Sequence, residues 1–310
     1  MAASISRQRV DGVLLLDKPT GITSNGALQR AKRLLAAVKA GHIGTLDPLA
    51  TGLLPVCFGE ATKFSSGAFG ADKTYEAEIL LGVTTDTGDT DGTVTARSSV
   101  AIGREQVAAA LQQYTGIIAQ TPPMYSALKR GGRPLYDYAR AGIEIALEPR
   151  NVTIYGIVLH DFQSDRVRIT VRCGKGTYIR VLATDLGRAL GCGATLAGLR
   201  RVAVGTFDIS AAVGLSRLEG LTQGERLGCL LPVDVMVGSL PKLTLAPAHA
   251  RRILNGQAVE CEEGVAGSVR LYDEGERFLG LGALDAVGAG WRLTASRLVS
   301  TQALTGVAAQ

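Results

Sequence analysis

"KTYEAEILLGVTTDTGDTDGTVTARS", Lys73 to Ser98, decides the fold. Tyr75, Ala77, Ile79 and Leu81 alternate with polar neighbours, the two-residue period of a strand with one face in a core. A polar loop follows, Asp91-Gly92 marks a hairpin turn, and a second strand returns. Strand, turn and strand make an antiparallel pair, with no crossover helix of the kind a parallel sheet needs.

The flanking sequence extends the pattern. "DGVLLLDKPTGITSN" reads as a short buried strand stopped by Lys18-Pro19 and a glycine turn. "TSNGALQRAKRLLAAVKAG" predicts a helix capped by Thr23, Ser24 or Asn25. Its apolar face is Ala27, Leu28, Leu34, Leu35 and Val38, and Gly41 is its stop. The other face carries Arg30, Lys32, Arg33 and Lys39 and reads as a solvated basic face. "GREQVAAALQQYTG" is an amphipathic helix. "TPPMYSALKRGGRPLYDYARAG" is irregular, then aromatic and basic, and looks like a surface insertion. "RNVTIYGIVLHDF" and "RVRITVRCGKGTYIRVLATDLGRALG" read as strand, strand, helix. Beyond Leu240-Pro241 come short strands with glycine turns. The expected class is α+β: residues 1–240 form a mixed, largely antiparallel sheet flanked by helices, and residues 241–310 a small β-barrel-like unit. Strict β-α-β-α alternation is missing, which disfavours a doubly wound nucleotide-binding fold.

Composition sets outer limits. The chain has 310 residues, 46% hydrophobic and 20% charged, so a sizeable core is available. A net charge of +5 fits a polyanionic partner or a simple solubility margin equally well. Five scattered cysteines without C-x-x-C spacing argue against a disulfide framework and a zinc site, and fit a reducing cytoplasm. Near the start, the apolar run Val13–Leu16 is followed by Asp17 and Lys18, too short for a signal peptide or membrane span. "CGKGTY" lacks the spacing of a phosphate loop. "DTGDTDG" lacks the last carboxylate of a calcium loop, and no second D-T-G completes an aspartic protease. Three separated histidines and no G-x-S-x-G disfavour metal and serine hydrolase chemistry.

What survives is one acid in "AGHIGTLDPLATGLLPVCFGEATK", Ala40 to Lys63. Asp47 sits among glycines that loosen the backbone and prolines that restrict it, so the loop is shaped to present a side chain. An ordinary Asp-Pro turn explains the same residue. Between Arg166 and Arg201 lie eight basic residues against one acid, Asp185, with Tyr178 and Arg180 alternating on an expected strand. That is the pattern of a nucleic-acid surface with an aromatic for an unstacked base, or of a solvated basic face.

Together "DGVLLLDKPTGITSN", "AGHIGTLDPLATGLLPVCFGEATKF", "KTYEAEILLGVTTDTGDTDG", "PPMYSALKRGGRPLYDYARAG", "CGKGTYIRVLATDLGRALGCGA" and "LRRVAVG" resemble the bacterial TruB family of tRNA pseudouridine synthases. The resemblance runs from about residue 10 to 205 and more weakly into a tail similar to a PUA-like RNA-binding domain. It implies that uridine-55 in the tRNA T-loop is isomerised on a flipped-out base, without cofactor or metal. It makes Asp47 the catalytic residue, Arg180 its partner, and Tyr75 the stacking tyrosine. Tyr178 and Leu199 would line the base pocket, His42 would contact RNA, and Lys18 and Lys63 would lie near the site in phosphate or structural roles. Residues 121–150 match a mobile thumb that closes over RNA. Whether Asp47 attacks the sugar, abstracts a proton or adds to the base is open. The T-arm of tRNA is the expected partner, with a cytoplasmic monomer and no membrane. The alternative is a tRNA-binding or folding module with incidental catalysis.

Overall fold

The computed structural model describes residues 7–262, 264–288 and 290–300; the outermost parts of the two expected units, 1–6 and 301–310, lie outside them. The larger sheet contains β1 (Gly12–Lys18), β2 (Ala40–His42), β3 (Thr51–Phe58), β4 (Lys73–Leu81), β5 (Gly116–Gln120), β6 (Arg150–Gln163), β7 (Arg166–Cys173), β8 (Ala194–Val204), β9 (Phe207–Asp208) and β10 (Val213–Gly214). Its order is β10-β1-β3-β8-β4-β7-β6-β5, with β2 on β3 and β9 on β8. Only β1/β10 and β3/β8 run parallel. The fold is α+β with a mixed, largely antiparallel sheet, as the alternation in β4 predicts. Tyr75, Ala77, Ile79 and Leu81 are all buried. The returning strand after β4 is short, Val94–Arg97, and pairs with Val83–Thr85 around a loop that the Asp86 and Asp89 side chains fold.

Helices α1 (Ser24–Leu34), α2 (Arg104–Gln112) and α3 (Ile179–Ala189) cover one face. Thr23 caps α1 by accepting from the Gly26 amide at 3.0 Å. The helix stops earlier than Gly41. Leu35 closes it, and Ala36 takes φ +51 so that the chain can turn toward β2. Val38, expected on the buried face, is therefore 56% exposed. A second correction concerns residues 174–180. β7 ends at Cys173, a turn closed by the Thr177 hydroxyl on the Gly174 carbonyl follows, and Tyr178 starts α3. Tyr178 and Arg180 are thus a helix cap and a first-turn residue, not alternating strand positions.

The smaller sheet comprises β11 (Lys242–Leu245), β12 (Val259–Cys261), β13 (Gly267–Asp273), β14 (Phe278–Val287) and β15 (Gly290–Leu298), a curled half-barrel in the order β11-β13-β14-β15-β12. Its core is continuous with the other face of β1 and β3: Val13, Leu15, Leu53 and Cys57 share a cluster with Leu245, Ile253, Leu271 and Leu293. Polar contacts close the same seam. Lys63 pairs with Glu60 at 2.8 Å and donates to the Leu298 carbonyl, and Arg297 donates back to the Lys63 carbonyl at 2.7 Å. Lys63 therefore has a structural role there. Because both faces of β1 are covered, it reads as an unbroken apolar run.

The parallel contact between β3 and β8 has a strict steric condition. Gly52 adopts φ +99, and a Cβ there would lie 2.3 Å from the Arg201 carbonyl oxygen. Gly52→Ala is expected to destabilise the protein by more than about 1 kcal/mol in urea unfolding; an unchanged midpoint would show that this contact does not constrain the sheet.

Candidate active site

Asp47 is aimed by its neighbours. Two residues of the loop are fixed by buried polar side chains and a third by a lysine. The Ser24 hydroxyl accepts from the Leu46 amide at 2.7 Å and donates to the Leu46 carbonyl at 2.8 Å. Arg201, 1% exposed, donates to the Gly44 carbonyl at 2.9 Å and the Leu53 carbonyl at 2.7 Å. Gly44, at φ +70, leaves room for that guanidinium, whose Nη1 would lie 3.0 Å from a Cβ. Lys18 is fully enclosed. Its ammonium donates to the carbonyls of Pro19, Ile22 and Pro48 at 2.9, 2.7 and 3.4 Å. Lys18 thus braces the loop from behind instead of meeting a ligand, and its enclosure lowers its pKa to about 8.

The loop places Asp47 in the wall of a cavity of about 620 Å³, with His42, Thr87, Asp89, Ser126, Arg140 and Arg180 around it. Arg180 Nε lies 3.0 Å from Asp47 Oδ2 and 3.5 Å from Asp89 Oδ2. Its two terminal nitrogens donate to the carbonyls of Thr87 at 3.0 Å and Tyr125 at 2.7 Å. The guanidinium therefore holds two carboxylates, the 86–93 loop and the 121–150 insertion at once. Asp89 is buried, and its other oxygen accepts from the Thr87 hydroxyl at 2.7 Å and the Asp91 amide at 3.2 Å. Of the two carboxylates that Arg180 holds, Asp47, with its side chain 40% exposed, is the one more open to the cavity.

Electrostatics differ from a simple ion pair. Desolvation pushes the Asp47 carboxyl above its ordinary value; Arg180 pulls it down and Asp89 pushes it up. Arg180 acts in the expected direction, but burial outweighs it. Enclosure also lowers the pKa of His42, which lines the cavity as a neutral imidazole with Nδ1 unpartnered among the described residues. Tyr75 lies beneath the cavity, nearly buried, against its cross-strand partner Arg201 and within electrostatic reach of Asp47. Burial raises its phenol and that of Tyr178. Tyr178 borders Ser126, and its backbone is clasped by the buried Gln120 amide, which donates to its carbonyl and accepts from its N–H at 3.0 Å. Leu199 instead opens onto a neighbouring depression with Leu49, Thr51 and Ala77.

The sequence brought forward Asp47, Arg180, His42, Tyr75 and Tyr178, which converge here, and missed Asp89, Ser126, Gln120 and Arg201. The clearest overlooked signal was "DTGDTDG" itself: three acids in a tight loop after the Tyr75 strand. The basic run from 166 to 201 is not a free patch. Arg166 and Arg168 share Glu78, Arg172 pairs with Asp72, Arg188 with Asp185, and Arg200 with Asp17, while Arg180 and Arg201 are buried; Lys175, in the turn before α3, is exposed without an ion pair among the described residues. The acids come from other strands, invisible to a local count.

The architecture belongs to one class of protein, with the pseudouridine synthase fold. The chain superimposes with a TM-score of 0.69 on a chain of "Crystal Structure of a Cbf5-Nop10-Gar1 Complex", covering 95% of this chain and 85% of that one at 24% identity. Residues 32–179 match the TruB family pseudouridylate synthase N-terminal domain. Residues 180–238 match the tRNA pseudouridylate synthase B C-terminal domain, and 241–299 the pseudouridine synthase II TruB C-terminal region. The tRNA pseudouridine synthase B of Azoarcus sp. (strain BH72) is 55% identical over 302 residues, 97% of this chain and 99% of that one. That of Dechloromonas aromatica (strain RCB) is 56% identical over 275 residues, 89% of this chain and 92% of that one. This chain belongs to the TruB family of pseudouridylate synthases.

A folded pKa above the unfolded one means that ionised Asp47 opposes folding; its favourable contribution is full below the unfolded value and is lost as pH rises through the folded one. The carboxyl carbon resonance that disappears in Asp47→Asn should titrate with a midpoint above 3.8, the ordinary value. A midpoint below it would mean that Arg180 outweighs burial.

Proposed function

We propose that this protein isomerises uridine-55 in the T-loop of tRNA to pseudouridine, with Asp47 as the single catalytic carboxylate acting on a flipped-out base. The observation that carries this reading is Asp47, the partly exposed member of the two carboxylates held by Arg180, in the wall of a nucleotide-sized cavity in a chain of the TruB family. Residues 1–240 would be the catalytic unit, with 121–150 as its closing insertion, and 241–310 an RNA-binding appendage. The setting would be the cytoplasm and the active species a monomer.

The chemistry accounts for one acid instead of two. A glycosidase needs a second carboxyl group to protonate a departing oxygen. Here the C1′–N1 bond breaks and the uracil stays bound and turns. A C1′–C5 bond forms, C5 loses its proton and N1 ends protonated. No atom is gained or lost. One fixed carboxylate can serve the step as nucleophile, base or charge partner. Asp89 is engaged by Thr87 and Asp91 and would tune Arg180 without touching the base. Everting the nucleotide costs a few kcal/mol, offset by stacking and by the cavity wall. His42 lines that wall and would meet the RNA. Tyr75 and Tyr178, both protonated at neutral pH, would stack on or border the base. Among the described residues no group of three or more His, Cys, Asp or Glu is arranged to hold a metal, and the scheme requires none.

Asp47→Asn should abolish pseudouridine formation on an unmodified tRNA transcript while affinity stays within about tenfold, because the change removes charge but not shape. Carbodiimide mapping reads both the product and its position. An active Asp47→Asn protein would end this reading. Wild-type protein that binds tRNA tightly yet leaves no adduct would favour a binding or folding module.

A further inference from the structure

We infer that the outer face of α1 is the phosphate track that leads the RNA backbone into the Asp47 cavity; this deepens the tRNA reading above and rests on it. The basic run on β7, α3 and β8 is paired or buried as described, so little of it is available for phosphate. Arg30, Lys32 and Arg33 on α1 differ: among the described residues none of the three has a side-chain ion pair or hydrogen bond. Arg30 and Arg33 are exposed.

The first turn of α1 forms cavity wall through Ser24 and Asn25. The Gln29 side chain donates to Asn25 at 3.4 Å, and the same i,i+4 row continues to Arg33. At about 1.5 Å per residue, Arg33 lies roughly 12 Å along the helix from Asn25. The row thus begins with neutral Asn25 and Gln29 at the mouth where the target base would enter and reaches a cation at Arg33, with Arg30 and Lys32 on either side of it. Arg30 and Arg33 also border a cleft with Glu219, Gln223 and Arg226. Arg226 keeps its positive charge there but its donors are engaged, by the carbonyls of Leu34, Leu218 and Glu219 at 3.0, 2.8 and 3.0 Å. It braces the end of α1, and Gln223 does the same through the Leu35 carbonyl at 3.0 Å. The track is therefore tied at both ends: Ser24 ties its start to the Asp47 loop and Arg226 ties its finish to the segment 215–228. Glu219 is the one carboxylate lining the cleft, so the local balance stays positive. Direct phosphate contacts made here would orient the substrate without reading its sequence.

The test measures binding of an unmodified tRNA transcript to the full chain across a salt series, with pseudouridine formation by wild type scored on the same preparation. Each phosphate contact adds roughly 0.7 to 0.9 to the log–log salt slope. The triple variant Arg30→Gln, Lys32→Gln, Arg33→Gln should flatten that slope by about two units, and weaken binding at low salt by at least tenfold. The pair Arg166→Gln, Arg172→Gln, equal in kind but already ion-paired, should leave the slope as in wild type. A triple variant that keeps the full slope, or that only lowers the unfolding temperature, overturns the track, as does an equal loss in the control pair. Wild type that forms pseudouridine while the triple variant keeps its slope would reject the track and leave the isomerase reading intact. A flattened slope with no pseudouridine would do the reverse.

Discussion

Asp47 faces a half-closed cavity, and Arg180 is the fixed cation that favours its ionised form. Its guanidinium is 5% exposed and every branch is engaged. A buried charge is costly unless its donors are matched. Here the match is made by Asp47, by Asp89 and by two backbone carbonyls from separate segments. Asp89 shares the guanidinium with Asp47, so the pair is weaker than an isolated bidentate bridge would be. That sharing and desolvation together explain a carboxyl held above its ordinary pKa despite an arginine at 3.0 Å.

Two further buried cations carry the same logic outward. Lys18 and Arg201 are held largely by carbonyl oxygens, and both grip the segment that presents Asp47. The positive charge behind the loop repels other cations: it is part of why Lys18 and His42 titrate low. The price of enclosing three cations is offset because each hydrogen bond also fixes a backbone position that the site needs. The insertion at 121–150 joins this frame through the Tyr125 carbonyl, which accepts from Arg180 at 2.7 Å.

Much of this was legible in the sequence, for identifiable reasons. Alternation in β4 and the apolar run of β1 are local signals, and local periodicity reports burial directly. Asp47 was visible because glycine and proline around it constrain the backbone. The failures are non-local. Asp89 looked like part of a defective calcium loop, since nothing nearby in sequence says that Arg180 lies against it. Arg201 looked like a surface cation because burial of an arginine depends on carbonyls from Gly44 and Leu53, contributed by distant segments. The basic run appeared free because Asp17, Asp72 and Glu78 pair with it across strands. Helix α1 ended early because the chain had to reach β2, a tertiary demand that overrides propensity.

Arg180→Lys probes the central constraint most directly, because it keeps the positive charge and removes the planar fork that reaches two carboxylates and two carbonyls. Single-turnover conversion of bound tRNA should slow by at least about a hundredfold, the scale of losing a preorganised charge partner, with tRNA affinity nearly unchanged. A conversion rate close to wild type would contradict the account, since a point charge alone would then suffice to hold Asp47 ready.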